Sequence, residues 1–209
     1  MKGIITSAKT FRYFTKGDPL KAKHIVYVLH GYGQLAEFFI RKFQHLSDAY
    51  FIVAPEGMHR FYLSGSSGRV GASWMTKEDR ETDIQDNLNW LNALDRELCG
   101  KYTFEKKHLV GFSQGGPTAI RWQFQGNLKA YQLIVWASVF PPDLQLDNEI
   151  RVSTTAKNYF VIGEKDEFHT LDQQNEAIVT YELNGFISLH FDGQHDIEPK
   201  LIQKLLEEL

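Results

Sequence analysis

In Leu-Val-Gly-Phe-Ser-Gln-Gly-Gly, residues 109–116, Gly111, Ser113 and Gly115 stand at alternate positions, an arrangement that can present a serine as a nucleophile. Glycines two residues either side let a strand reverse into a helix where a Cβ would clash. The serine is then pushed out above the sheet edge on a strained backbone, beside the first N–H groups of the helix. A bare Gly-x-Ser-x-Gly arises by chance about 0.07 times in a chain of this length, so context matters. His108, Leu109 and Val110 close an apolar run, and Pro117 to Trp122 continue with helical character, giving strand, turn and helix in the required order. The competing reading is a glycine-rich turn with an incidental serine.

A serine hydroxyl is a weak nucleophile at neutral pH and needs a base within hydrogen-bond reach and a group to orient that base. Of the eight histidines, His195 alone follows the last expected strand, in the short loop Asp192-Gly193-Gln194-His195-Asp196, and is the candidate base. His190 falls within a strand, His45 and His108 within or beside periodic elements, His24 and His59 on the surface or in loops, and His169 at the border of the site. Asp166, in the loop after the preceding strand, is the candidate orienting acid, with Glu164 and Asp192 as rivals. The order Ser113, Asp166, His195 is that of an α/β-hydrolase. Backbone N–H groups best hold a developing oxyanion. Gln114 supplies one, and Tyr32 in His30-Gly31-Tyr32-Gly33 supplies the other unless that segment is only a tight turn.

These groups need a scaffold that brings strand ends together. Runs dense in aliphatic residues predict buried strands over 24–29, 50–54, 108–110, 133–139, 159–162 and 186–191, with shorter strands over 4–7 and 10–15. Apolar stripes predict helices over 35–46, 79–98, 171–183 and 197–209, besides the one after Ser113. Residues 56–75 have no clean period and read as a long loop. Alternating strands and helices imply a doubly wound, mostly parallel sheet with helices on both faces, whose ligand site lies at the C-terminal strand ends. The 209 residues are expected to form a single domain.

Composition excludes several other classes. The net charge is −3, with basic residues scattered among acidic ones, so a nucleic-acid partner is not expected. Cys99 is the single cysteine, which rules out an internal disulfide and leaves no cysteine-based zinc spacing. Residues 1–15 lack the apolar core of a signal peptide and no 18-residue apolar run occurs, so the sequence favours the cytoplasm without integral membrane association. The oligomeric state is left open between monomer and homodimer.

Leu29-His30-Gly31-Tyr32-Gly33, Ala54-Pro55, Ser73-Trp74, Gly111 to Gly116, Gly163 to Asp166 and Gly193 to His195 together resemble the small phospholipase/carboxylesterase family of α/β-hydrolases, which includes the acyl-protein thioesterases. The match spans nearly the whole chain. It implies a hydrolase without a separate cap domain, acting on small-molecule carboxylic esters, thioesters or lysophospholipids, with Ser113, Asp166 and His195 as triad and Tyr32 and Gln114 as oxyanion hole. Two departures stand out. Tyr32-Gly33-Gln34 replaces the family's commoner Leu-Gly-Asp, and Ala137-Ser138-Val139 lacks the usual glycine after the serine. Phe61, Tyr62, Leu63 and Trp74 would line the acyl pocket, or else pack under the loop to hold it down. Arg60 and Arg69 could meet a negatively charged substrate group or be ordinary exposed loop arginines. No metal or cofactor is required by this chemistry. A serine peptidase on the same fold and a non-catalytic hydrolase-like binding protein are the alternatives.

Overall fold

Aliphatic runs without polar alternation need cover on both faces, and here they build the middle of a seven-stranded sheet. The computed structural model describes residues 3–144 and 157–208. In chain order these contain β1 (Tyr13–Lys16), β2 (His24–Leu29), the short α1 (Ala36–Phe39) continued by a 3-10 turn (Ile40–Phe43), β3 (Tyr50–Pro55), β4 (His59–Tyr62), β5 (Val70–Ser73) and α2 (Arg80–Lys101). There follow β6 (Lys106–Phe112), α3 (Gly115–Phe124), β7 (Gln132–Trp136), β8 (Lys157–Gly163), α4 (Leu171–Leu183), β9 (Ile187–Phe191) and α5 (Pro199–Glu207). The large sheet runs β1-β3-β2-β6-β7-β8-β9, and every pairing in it is parallel except β1 on β3.

Because strand side chains alternate between faces, each strand feeds two cores. Ile25, Tyr27, Leu29, Leu109, Leu133, Val135 and Phe160 pack under α2, α3 and α4, against Leu91, Trp122 and Tyr181. Val26, Val28, Val110, Ile134, Trp136 and Val161 point the other way, towards Phe39 and Phe43 and the Ile202, Leu205 and Leu206 face of α5. Fully burying one such aliphatic side chain contributes about 1.5–3 kcal/mol, so both helical layers are held by the same strands. The helix ends follow from sequence as well. Thr170 and Gln173 form a reciprocal capping box at the start of α4, and Pro199 opens α5 behind Glu198, whose carboxylate accepts from Leu201 N–H.

Four expectations are corrected. Residues 4–7 form no strand, and Ile4 and Ile5 are exposed; the 10–15 segment narrows to β1, an edge strand antiparallel to β3. The helix over 35–46 is a single α-turn that tightens into 3-10 geometry. Ile40, Phe43 and Leu46, three residues apart and all buried, match three residues per turn, whereas Phe38 faces solvent. The long loop over 56–75 contains a hairpin, β4 on β5, with Gly65 and Gly68 at positive φ in its turn. His-Arg-Phe-Tyr carries no period-two apolar signal that would mark it as a strand. The strand over 133–139 ends at Trp136, since Ala137 adopts φ 49°.

Candidate active site

The strands that run parallel share one end, and the polar clusters leave from it: His30–Gly33 after β2, Ser113 after β6, Ala137-Ser138 after β7, Asp166 after β8 and His195 after β9. Ser113 has φ 51°, left-handed backbone that a serine adopts only when its surroundings over-determine it. Two hydrogen bonds do so here: Ser113 N–H donates to Trp136 O at 2.9 Å, and the Ser138 hydroxyl donates to Ser113 O at 2.7 Å. The turn also needs its glycines. A Cβ on Gly111 would lie 2.7 Å from both Ala119 Cβ and Gly115 O, and one on Gly115 would run into the carbonyl oxygens of Leu29 and His30.

Asp166 is buried, and its carboxylate accepts three hydrogen bonds: His195 Nδ1 at 2.7 Å, Phe168 N–H at 2.9 Å and His169 Nδ1 at 3.2 Å. Burial alone would raise its pKa, but the bonds from His195, Phe168 and His169 outweigh it and hold the carboxyl below its ordinary value. The rivals are committed elsewhere. Asp192 pairs with Lys165, Asp196 accepts from Lys42 Nζ at 2.5 Å, and Glu164 is exposed. The His195 ring lies between Phe112 and Phe168, with centroids 5.0 and 4.6 Å away, so it sits against the residue that precedes Ser113. Asp166, His169 and His195 offer three ligand atoms within 4.8 Å of one another. Both imidazoles direct Nδ1 at the carboxylate, so these two nitrogens are engaged by Asp166.

The loop after β2 is locked by His30. Its Nδ1–H donates to Gly31 O at 2.8 Å, and its Nε2 accepts from Gly57 N–H at 2.9 Å, which requires the neutral ring. Burial pushes its pKa down to about 4, partly opposed by the bond to Gly31. A Cβ on Gly31 would lie 3.2 Å from Ser113 Cβ, so this loop and the serine are in close approach. Gly31, Gly33 and Gln34 all spend their N–H groups within the protein. Those of Tyr32 and Gln114 have no acceptor among the described residues.

The aromatic residues separate into two groups. Phe61 lies tilted against Tyr32 with ring centroids 5.1 Å apart, while Tyr62 and Leu63 are exposed on the hairpin. Trp74 does not face a ligand: it is fully buried, its Nε1–H donates to His30 O at 2.8 Å, and it packs on the His30 ring. It holds the loop down, which its sequence position could not distinguish from pocket lining. The Gln114 side chain ties the turn after β6 to the hairpin, accepting from Trp74 N–H at 3.1 Å and donating to Met75 O and Ser73 Oγ, each at 2.9 Å. The Ser138 brace on Ser113 and the His169–Asp166 bond lie outside the sequence expectations. The spacing of His169, three residues after Asp166, was the available signal.

No family model and no curated protein matches the chain by sequence. Its architecture is similar to that of esterase PE8, at TM-score 0.67 and 19% identity over 96% of this chain and 99% of that one. A carboxylesterase from Mesorhizobium loti superposes at TM-score 0.74 with 13% identity, covering 95% of each chain. Zea mays acyl-protein thioesterase 2 superposes at TM-score 0.66 with 14% identity over 92% of this chain and 95% of its own. No helix among the described residues is long and apolar enough to cross a membrane. A mostly parallel sheet covered by helices on both faces, turning sharply at Ser113 after β6 and matching these structures almost end to end, gives this chain the α/β-hydrolase fold.

Proposed function

We propose that the chain is a serine hydrolase of small carboxylic esters or thioesters, of the phospholipase/carboxylesterase type, folded as one domain across residues 1–209. The observation that carries this is the strained Ser113 turn at the strand edge where a buried Asp166 holds the His195 ring through Nδ1 at 2.7 Å. His195 Nε2 takes the proton as Ser113 Oγ attacks the acyl carbonyl carbon. The resulting oxyanion is held by the N–H groups of Tyr32 and Gln114. His195 returns the proton to the departing alkoxide or thiolate, leaving an acyl-serine. Water, deprotonated by the same imidazole, then releases the acid and restores Ser113. Asp166 keeps the ring in the tautomer with Nδ1–H and stabilises the imidazolium that forms. Side chains and backbone supply every group these steps need, so the proposal includes no metal or cofactor. The five residues span four separate strand ends, a placement that residue spacing alone suggested and that side-chain contacts support at Asp166 and His195.

The test is labelling by a fluorophosphonate together with hydrolysis of p-nitrophenyl esters from acetate to palmitate. The intact chain is expected to label and turn over, and Ser113→Ala to lose labelling and about 10⁴-fold or more of kcat/KM. Absence of both labelling and ester turnover in the intact chain would remove the proposal.

A further inference from the structure

The hairpin and the α1 segment line a solvent-open cavity of about 830 Å³ beside the Tyr32 loop, within the size range of small-molecule sites. Its walls are of two kinds. Leu35, Phe38, Phe39 and Val70 are apolar, and Arg41, Lys42 and Arg69 bring three cations with no carboxylate among the described lining residues. A neighbouring cavity of about 420 Å³ shares Leu35 and Val70 and adds Arg12 and Arg60.

The cations differ in what already neutralises them. Arg12 and Arg60 both reach the buried Glu56, at 2.6 and 3.5 Å, and Lys42 is bound to Asp196. Arg41 lies over the Phe38 ring, 4.7 Å from its centroid, and neither it nor Arg69 pairs with a carboxylate among the described residues. Two exposed guanidinium groups therefore border the cavity with no carboxylate partner among the described residues.

The cavity wall connects to the proposed reacting centre along two short chains of contacts, each through one intervening residue. Gln34, in its wall, accepts from Gly31 N–H at 2.9 Å, and Gly31 packs against Ser113. Phe39, also in its wall, stacks at 5.8 Å on Phe112, the ring between it and His195. A substrate with its carbonyl at Ser113 could thus extend one arm over the Phe39 wall towards Arg41 and Arg69.

Building on the serine-hydrolase reading above, we propose that this cavity selects an ester with one apolar arm ending in an anion, a carboxylate or phosphate, and that Arg41 and Arg69 are its specificity-determining residues. A guanidinium presents paired donors that fit either anion, while the aromatic wall suits the short hydrocarbon arm between anion and ester.

Matched substrates on the full chain test this. For an anion on the acyl side, the p-nitrophenyl half-ester of glutarate is compared with p-nitrophenyl pentanoate. For an anion on the leaving-group side, 3-carboxyphenyl acetate is compared with phenyl acetate. In the intact chain, the anionic member of at least one pair is expected to have kcat/KM at least about tenfold above its neutral partner, chiefly through KM. The pair that shows the preference identifies which arm enters the cavity. In Arg41→Gln/Arg69→Gln that ratio is expected to fall to about one, and Arg69→Lys to retain part of it. Each ratio is taken on one preparation, so partial loss of folded protein cancels. Neutral esters cleaved as well as the anionic ones in both pairs, or a preference that survives the double substitution, overturns the subsite alone. A chain that takes up no fluorophosphonate and cleaves none of the four esters overturns the hydrolase reading, and the subsite with it.

Discussion

At the scale of single residues the site depends on groups whose neighbours leave them one arrangement. Ser113 keeps its left-handed backbone because Trp136 O and the Ser138 hydroxyl hold both sides of its peptide. Asp166 is held ionised by three donors, and its role in the proposed reaction is to keep Nδ1–H of His195 directed at a negative charge. Asp166→Asn keeps the shape but permits the tautomer with Nε2–H, which cannot accept the Ser113 proton. Its kcat is expected to fall by about 10⁴-fold with little change in thermal stability. Ester turnover within tenfold of the intact chain would count against Asp166 as the orienting acid.

At the scale of elements, the hairpin β4–β5 and the β6–α3 turn act as one unit joined through the Gln114 side chain. That amide contacts Ser73 Oγ, Trp74 N–H and Met75 O, and the buried Trp74 in turn donates to His30 O. Gln114→Ala leaves the partly buried Trp74 N–H without its acceptor, while Met75 O keeps the Ser73 hydroxyl at 2.8 Å, and the orphaned donor costs about 1–3 kcal/mol. Urea unfolding is expected to show this loss, with faster amide exchange at Trp74 than in the intact chain. Unchanged stability and exchange would mean that the hairpin is held by Trp74 burial alone. The same coupling gives the proposed anionic subsite its position, because Arg69 and Val70 are carried on the hairpin and Gln34 on the loop beneath it.

At the scale of the whole molecule, acid stability is governed by histidines buried as neutral rings. His30, in the β2 loop, and His108, in the sheet beside Gln132, both have pKa values pushed down by burial to about 4, from an ordinary 6.5. A lowered histidine pKa means that between pH 6.5 and 4 the unfolded chain binds protons that the folded chain refuses. Stability is therefore full above pH 6.5 and is lost as pH falls towards 4, by about 3 kcal/mol for each ring. The denaturant midpoint is expected to fall steadily across that window, with Asp166 adding a further loss only below its ordinary carboxyl range. A midpoint that stays constant from pH 7 to 4.5 would contradict the neutral, locked His30.

Much of this was legible in the sequence because it is local. Aliphatic runs marked β2, β3, β6, β8 and β9; an apolar stripe over 171–183 marked α4; and glycines around Ser113 marked a turn where a Cβ has no room. The residues that follow each strand could be read as neighbours because parallel strands deliver their C-terminal ends to one edge. Contacts between segments distant in sequence were decided only by the tertiary structure. Arg60 and Arg69 are alike in sequence, yet the first pairs with Glu56, which it shares with Arg12, while the second borders the cavity without a carboxylate partner among the described residues. Trp74 went into the core and Tyr62 to the surface through hairpin pairing that no local apolar period announces. Sequence by itself determined which residues could do chemistry and at which strand ends they stand. Folding decided which of their charges remain unpaired, since neutralisation depends on distances across the chain that spacing along it does not encode.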